Sequence, residues 1–220
     1  MQPKSFYSWM VFLGFLCFPC EAAITIDGFT PAANNRFSNS SSFIASSFNL
    51  SGIGQTSTGR WATLISPNVV VSANHFAPGG GAVINFYADN NPASVAVQRT
   101  VSANNVQVPN TDLWLGVLES NVPSSIKSFN FANTFLTGTP PLVTNAGVFQ
   151  GANAYMFGLA PGVEQALQSQ AVGRSLISGY AENVVFNASD NDALILNYPP
   201  GSHVNVFDSG APLFIASGRF

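Results

Sequence analysis

Apolar residues along this chain fall in short runs and not at the three- and four-residue spacing of an amphipathic helix. The runs Trp61-Ala62-Thr63-Leu64-Ile65 and Val69-Val70-Val71-Ser72-Ala73 flank Ser66-Pro67-Asn68, which predicts a hairpin. Further strands are predicted over 82–87, 94–101, 113–118, 154–159, 193–197 and 204–207. Ahead of the hairpin, residues 31–60 are rich in Asn, Ser and Gly around the strand-like Phe43-Ile44-Ala45 and Phe48-Asn49-Leu50, and read as a leading segment with loose turns. Only residues 165–177 carry a helical pattern, which Gly173 and the serines weaken. Strands recurring every ~8–12 residues with turn residues between them predict an all-β sandwich or barrel. Residues 119–135, Pro- and Ser-containing and poor in strand formers, read as a connection between two halves.

Composition sharpens that picture. Of the 220 residues, 46% are hydrophobic and 8% charged, against about 25% charged in an ordinary soluble domain. Seven basic residues and a net charge of -3 leave no basic face for nucleic acid or an anionic membrane, so nucleic-acid binding is excluded. The chain opens with Lys4 and the apolar run 6–20, then Glu21-Ala22-Ala23. That arrangement predicts a cleaved signal peptide over 1–23 and a secreted or periplasmic protein, with no stable membrane insertion. Both cysteines, Cys17 and Cys20, lie inside the leader, so the predicted mature chain forms no disulfide.

Polar residues with catalytic chemistry are few. His75 follows the apolar strand 69–73 and precedes Phe76-Ala77-Pro78-Gly79-Gly80-Gly81, a position suited to a general base. Asp112 heads the apolar strand 113–118, where an unpaired carboxylate would cost several kcal/mol. Asp208-Ser209-Gly210-Ala211-Pro212 lies near the end of the chain. Two histidines and no mature cysteine make a metal centre improbable, and no cofactor is expected. Asp190 and Asp192 sit on a loop read over 187–192, where calcium ligation is weighed against a solvated turn and the turn is preferred.

Three blocks together resemble the chymotrypsin-like (trypsin-type) serine peptidases. They are Thr63 to His75, Asp112-Leu113-Trp114-Leu115, and Asp208-Ser209-Gly210-Ala211-Pro212, in the chain order His, Asp, Ser. The resemblance implies a two-barrel fold, with a first barrel over 24–120, a connection over 121–135 and a second, incomplete barrel over 136–220. It implies a secreted serine endopeptidase acting on peptide or protein substrates, with Ser209 as nucleophile, His75 as base and Asp112 orienting the imidazole. By the same resemblance Ser72 would hydrogen-bond the Asp112 carboxylate. Asp208 would receive a buried N-terminus, which cleavage after Ala23 would place at Ile24 and cleavage after Ala22 would not. His203 lies near the position that supplies the family's pocket floor and would favour an acidic substrate side chain, the alternative being a surface-turn histidine.

Two departures from the family pattern oppose activity. Phe207 stands where the family has the glycine whose N–H forms the oxyanion hole with that of Ser209, a conformation that suits glycine best. The chain also reaches Phe220 before the strands that wall the family's specificity pocket, which implies a longer full-length protein, with room for a C-terminal sorting segment. A weak or inactive homologue that binds peptides or acts as a scaffold is therefore the runner-up. A non-enzymatic β-rich surface or carbohydrate-binding module is the third class.

Overall fold

Short antiparallel strands close the first half of the chain into a barrel, with buried and more exposed side chains alternating over 69–73 and 113–118. The computed structural model describes residues 24–130, 149–160, 170–186, 189–197 and 210–216. Strands β1 (Ile53–Gln55), β2 (Trp61–Ser66), β3 (Val69–Ala73), β4 (Val83–Phe86), β5 (Val97–Gln107) and β6 (Leu113–Leu118) form a closed antiparallel barrel in the order β1-β2-β3-β6-β5-β4. The predicted hairpin is the β2–β3 pair, turning over Pro67 and Asn68. Inside the barrel Leu64, Val70, Ile84, Phe86, Val101 and Trp114 pack together, each 3% exposed or less. Closure at β1 depends on Gly54, because a Cβ there would lie 2.5 Å from Ile84 Cγ2 and 2.6 Å from Phe86 Cε1. Residues 121–130 add no strand, but Val122 and Ile126 enter the barrel core and Phe129 N–H donates to Leu64 O.

The later strands, β7 (Asn153–Gly158), β8 (Ala171–Phe186), β9 (Ser189–Asn197) and β10 (Leu213–Ala216), form a four-stranded antiparallel sheet in the order β10-β7-β8-β9. The fourth strand thus lies beside the first, as β4 lies beside β1 in the barrel, and both halves carry the 4-1-2-3 order of a Greek key. The architecture is therefore all-β, one closed barrel and a second sheet. Trp61, Ile53, Phe43 and Leu50 pack on Tyr155, Phe157, Leu159 and Val172, so an apolar layer joins barrel and sheet.

Three expectations are corrected. The helical pattern over 165–177 gives way, from Ala171 onward, to β8. There the exposure alternates, Arg174 and Leu176 outward, Ser175 and Ile177 inward. Strands at 43–45 and 48–50 do not form: Phe43, Ala45 and Leu50 are buried from turns, and the short strand comes later, at β1. Asp190 and Asp192 belong to β9, not to a loop.

The leading segment contributes a short helix, α1 (Pro31–Asn34), capped by Thr30 Oγ1 accepting from Ala33 N. Just after it Arg36 is 1% exposed. Its guanidinium donates to Asn90 Oδ1 at 2.9 Å, Gln170 Oε1 at 2.9 Å and the carbonyls of Tyr87 at 3.1 Å, Asp89 at 3.4 Å and Ile53 at 3.5 Å. Burial pushes this group down to about 9, with Asp89 and Tyr87 pulling it back up. Among the described residues no helix is long and apolar enough to cross a membrane.

Candidate functional site

Register places two of the sequence-derived residues side by side. β3 and β6 are antiparallel neighbours with Ala73 opposite Leu113, so the residues after β3 meet those before β6 at one end of the barrel. Asn74 N–H donates to Asp112 O at 2.7 Å, and β3 gives way to a 3-10 turn, Asn74–Phe76, which carries His75.

The Asp112 carboxylate grips that turn with both oxygens. Oδ1 accepts from the backbone N–H of His75 at 3.0 Å, and Oδ2 lies 2.5 Å from Nδ1 of its ring. A carboxylate only accepts hydrogen bonds, so Nδ1 carries the proton in this contact, and in the neutral imidazole that tautomer leaves the lone pair on Nε2. The side chains are 58% and 56% exposed, so the pair is open to solvent and the Asp112 carboxylate is not at the costly buried position expected from the sequence. An oriented imidazole with an accessible basic nitrogen can take a proton from a hydroxyl brought within reach.

Gly210 sits against this pair's supporting strand. Its φ of +81° is in the left-handed region, and a Cβ there would collide with Ser72 Oγ and lie 3.1 Å from Ala73 N. Beyond it, Pro212 O accepts from Phe157 N–H at 3.2 Å, and Leu213 pairs with Met156 as β10 begins. A cavity of about 1190 Å³ opens between barrel and sheet, reaching from Asp112, Ser72 and Gly210 to Phe48, Tyr155 and Phe157.

Ser72 corrects an expectation. Its hydroxyl is buried without a hydrogen-bond partner among the described residues, and the Asp112 oxygens are engaged by His75 instead. Ser72 Oγ instead lies against Gly210, where an added Cβ would meet it. Ile24 is 1% exposed, with its N–H donating to Leu159 O at 3.1 Å and its side chain among Met156, Ala160 and Ala171. His203, Phe207, Asp208 and Ser209 lie outside the described residues. Among the described residues no three His, Cys, Asp or Glu side chains gather as metal ligands.

Arg60, which the sequence does not single out, also reaches the His75 turn. Its signal was an isolated cation directly before the apolar run at Trp61, in a chain with only seven basic residues. No protein-family model matches the chain, and no curated protein matches it either.

Proposed function

We propose that this chain is an exported serine endopeptidase of the chymotrypsin-like type, with two Greek-key halves of which the described second sheet represents one. The observation that carries the reading is the two-oxygen grip of Asp112 on the His75 turn, at 2.5 Å to Nδ1 and 3.0 Å to the backbone N–H. A histidine fixed in that tautomer by a carboxylate is what a hydroxyl nucleophile needs, since a free hydroxyl attacks poorly near neutral pH. Support comes from Gly210, which is bonded to Ser209 and packs on Ser72, three residues before His75.

In this mechanism Ser209 Oγ attacks the scissile carbonyl carbon while His75 Nε2 removes its proton. Collapse of the tetrahedral intermediate expels the amine, which takes that proton from His75 and leaves an acyl-enzyme. Water, deprotonated by the same imidazole, then releases the acid. Asp112 remains ionised and stabilises the imidazolium at each step.

Phe207 favours the second reading, a peptide-binding homologue with little turnover, because loss of one oxyanion donor costs roughly 10²–10³ in rate. Cleavage of an unfolded protein substrate separates the two. The first reading expects cleavage that Ser209→Ala and His75→Ala both abolish, while saturable peptide binding without cleavage selects the second.

A further inference from the structure

Two side chains from elsewhere in the chain hold the turn that carries His75, and only Asp112 belongs to the triad scheme. The other is Arg60: its Nη1 donates to Ala77 O at 2.5 Å, and its guanidinium carbon stands 5.1 Å from the centroid of the Phe76 ring. These two contacts fall on the two residues that follow His75. A guanidinium within about 6 Å of an aromatic centroid is attracted to the ring face. The 3-10 turn has no side-chain cap of its own, and its three residues include none that is buried. Its placement rests on backbone bonds from Asn74 to Asp112 O and from Ala77 to Asn74 O, on Ala77 against the barrel core, and on the side chains that reach it.

Arg60 is a firm base for such a grip. The tight turn before it is closed by Thr56 N donating to Arg60 O at 2.9 Å and by Arg60 N donating to Thr56 Oγ1 at 3.1 Å. Gly59, at φ +81°, allows the reversal, and its carbonyl accepts from the buried Gln55 side chain at 3.3 Å. Trp61, the next residue, is 0% exposed and anchors β2 in the layer between barrel and sheet. The backbone of Arg60 is thus fixed by the barrel wall, and its side chain carries that rigidity to Phe76 and Ala77.

We propose that Arg60 is a positioning residue for His75, holding the imidazole at the angle from which it serves the nucleophile. This rests on the peptidase reading. Arg60 touches neither substrate nor the reacting atoms; it acts by preventing the turn from pivoting about the Asp112 contact. A displacement of about 1 Å at a reacting group can cost on the order of 10²-fold in rate.

The test compares the wild-type protein with Arg60→Met, Arg60→Lys and Phe76→Leu, reading both the rate of fluorophosphonate labelling and the downfield proton resonance of His75 Nδ1–H. Arg60→Met is expected to slow labelling roughly 10- to 100-fold and to broaden or shift the resonance, with the unfolding midpoint little changed. Arg60→Lys, which keeps a cation over the ring and one donor, is expected to recover most of both readouts. Phe76→Leu is expected to act in the same direction as Arg60→Met and to add little to it in the double variant. An unchanged resonance and labelling rate in folded Arg60→Met would overturn the proposal. If the wild type itself takes no label, the peptidase reading fails, and the resonance, which needs no turnover, still decides the positioning role. Should Arg60→Met not fold, Arg60→Lys and Phe76→Leu carry the comparison, and wild-type behaviour in both would overturn it.

Discussion

The Arg36 guanidinium donates through Nη1 to Gln170 Oε1 at 2.9 Å, tying the leading segment to the residue that precedes β8. The backbone repeats the link, because Arg36 N–H donates to Gln170 O at 2.9 Å and Asn35 bridges Ala171. With Tyr87 O and Ile53 O also accepting from Arg36, one buried side chain joins the leading segment, the barrel and the second sheet. Its removal strands several buried acceptors, each worth about 1 kcal/mol or more. Arg36→Met should therefore lower the unfolding free energy by about 3 kcal/mol or more in urea, and Arg36→Lys should recover only part, lacking the planar fork. A loss below about 1 kcal/mol for Arg36→Met would contradict this role.

Gly210 is constrained twice, by its positive φ and by Ser72 and Ala73 beneath it. Gly210→Ala should cost about 1–3 kcal/mol in stability from backbone strain alone, and should reduce activity beyond what the stability loss explains, because Ser209 is bonded to this residue. Thermal unfolding measured beside the labelling rate of the folded fraction checks both. Wild-type values for the two together would show that the backbone here yields freely.

Asp89 gives the acid side of the stability profile a specific contributor. Its carboxyl is held below the usual carboxylate range by the hydrogen bond from Ser94, then by the N–H of Asn91, with the Arg36 charge nearby adding to the effect. A depressed carboxylate pKa adds stability that is complete above the unfolded-state value and is lost as pH falls through the lower folded-state value. The stability gap between wild type and Asp89→Asn should thus be present near neutral pH and close below the ordinary carboxylate range. A gap that stays constant with pH would assign the effect to something other than ionisation.

Much of the barrel was legible because its strands announce themselves. Val69 to Ala73 and Leu113 to Leu118 are apolar runs bounded by polar turns, and His75 and Asp112 stood out as ionisable groups at their ends. What sequence could not supply was the β3–β6 register that makes those ends meet. β8 was misread because its alternation runs against hydrophobicity: Ser175 is buried while Leu176 is 51% exposed. β1 was missed because Gly54 is there for room, leaving Ile53 as the one strand former of a three-residue strand. Arg36 and Arg60 were passed over because what makes each matter is a set of partners distant in sequence or on the next turn, and a lone cation reads as solvated surface.

Asp112→Asn separates orientation from mere charge. The amide can offer a donor where the ring needs an acceptor, so the His75 tautomer would reverse, and activity should fall on the order of 10⁴-fold with the fold intact. Initial rates at saturating substrate check this. A variant within a few-fold of wild type would mean that Asp112 holds the turn through the backbone N–H alone.

The most direct measurement of the central claim is the site of covalent modification by a fluorophosphonate, read as an intact-mass increase and located by peptide mapping. One adduct per chain is expected, on Ser209, absent from Ser209→Ala and strongly slowed in His75→Ala. A folded protein that takes no adduct, or one whose adduct persists in Ser209→Ala, would contradict it.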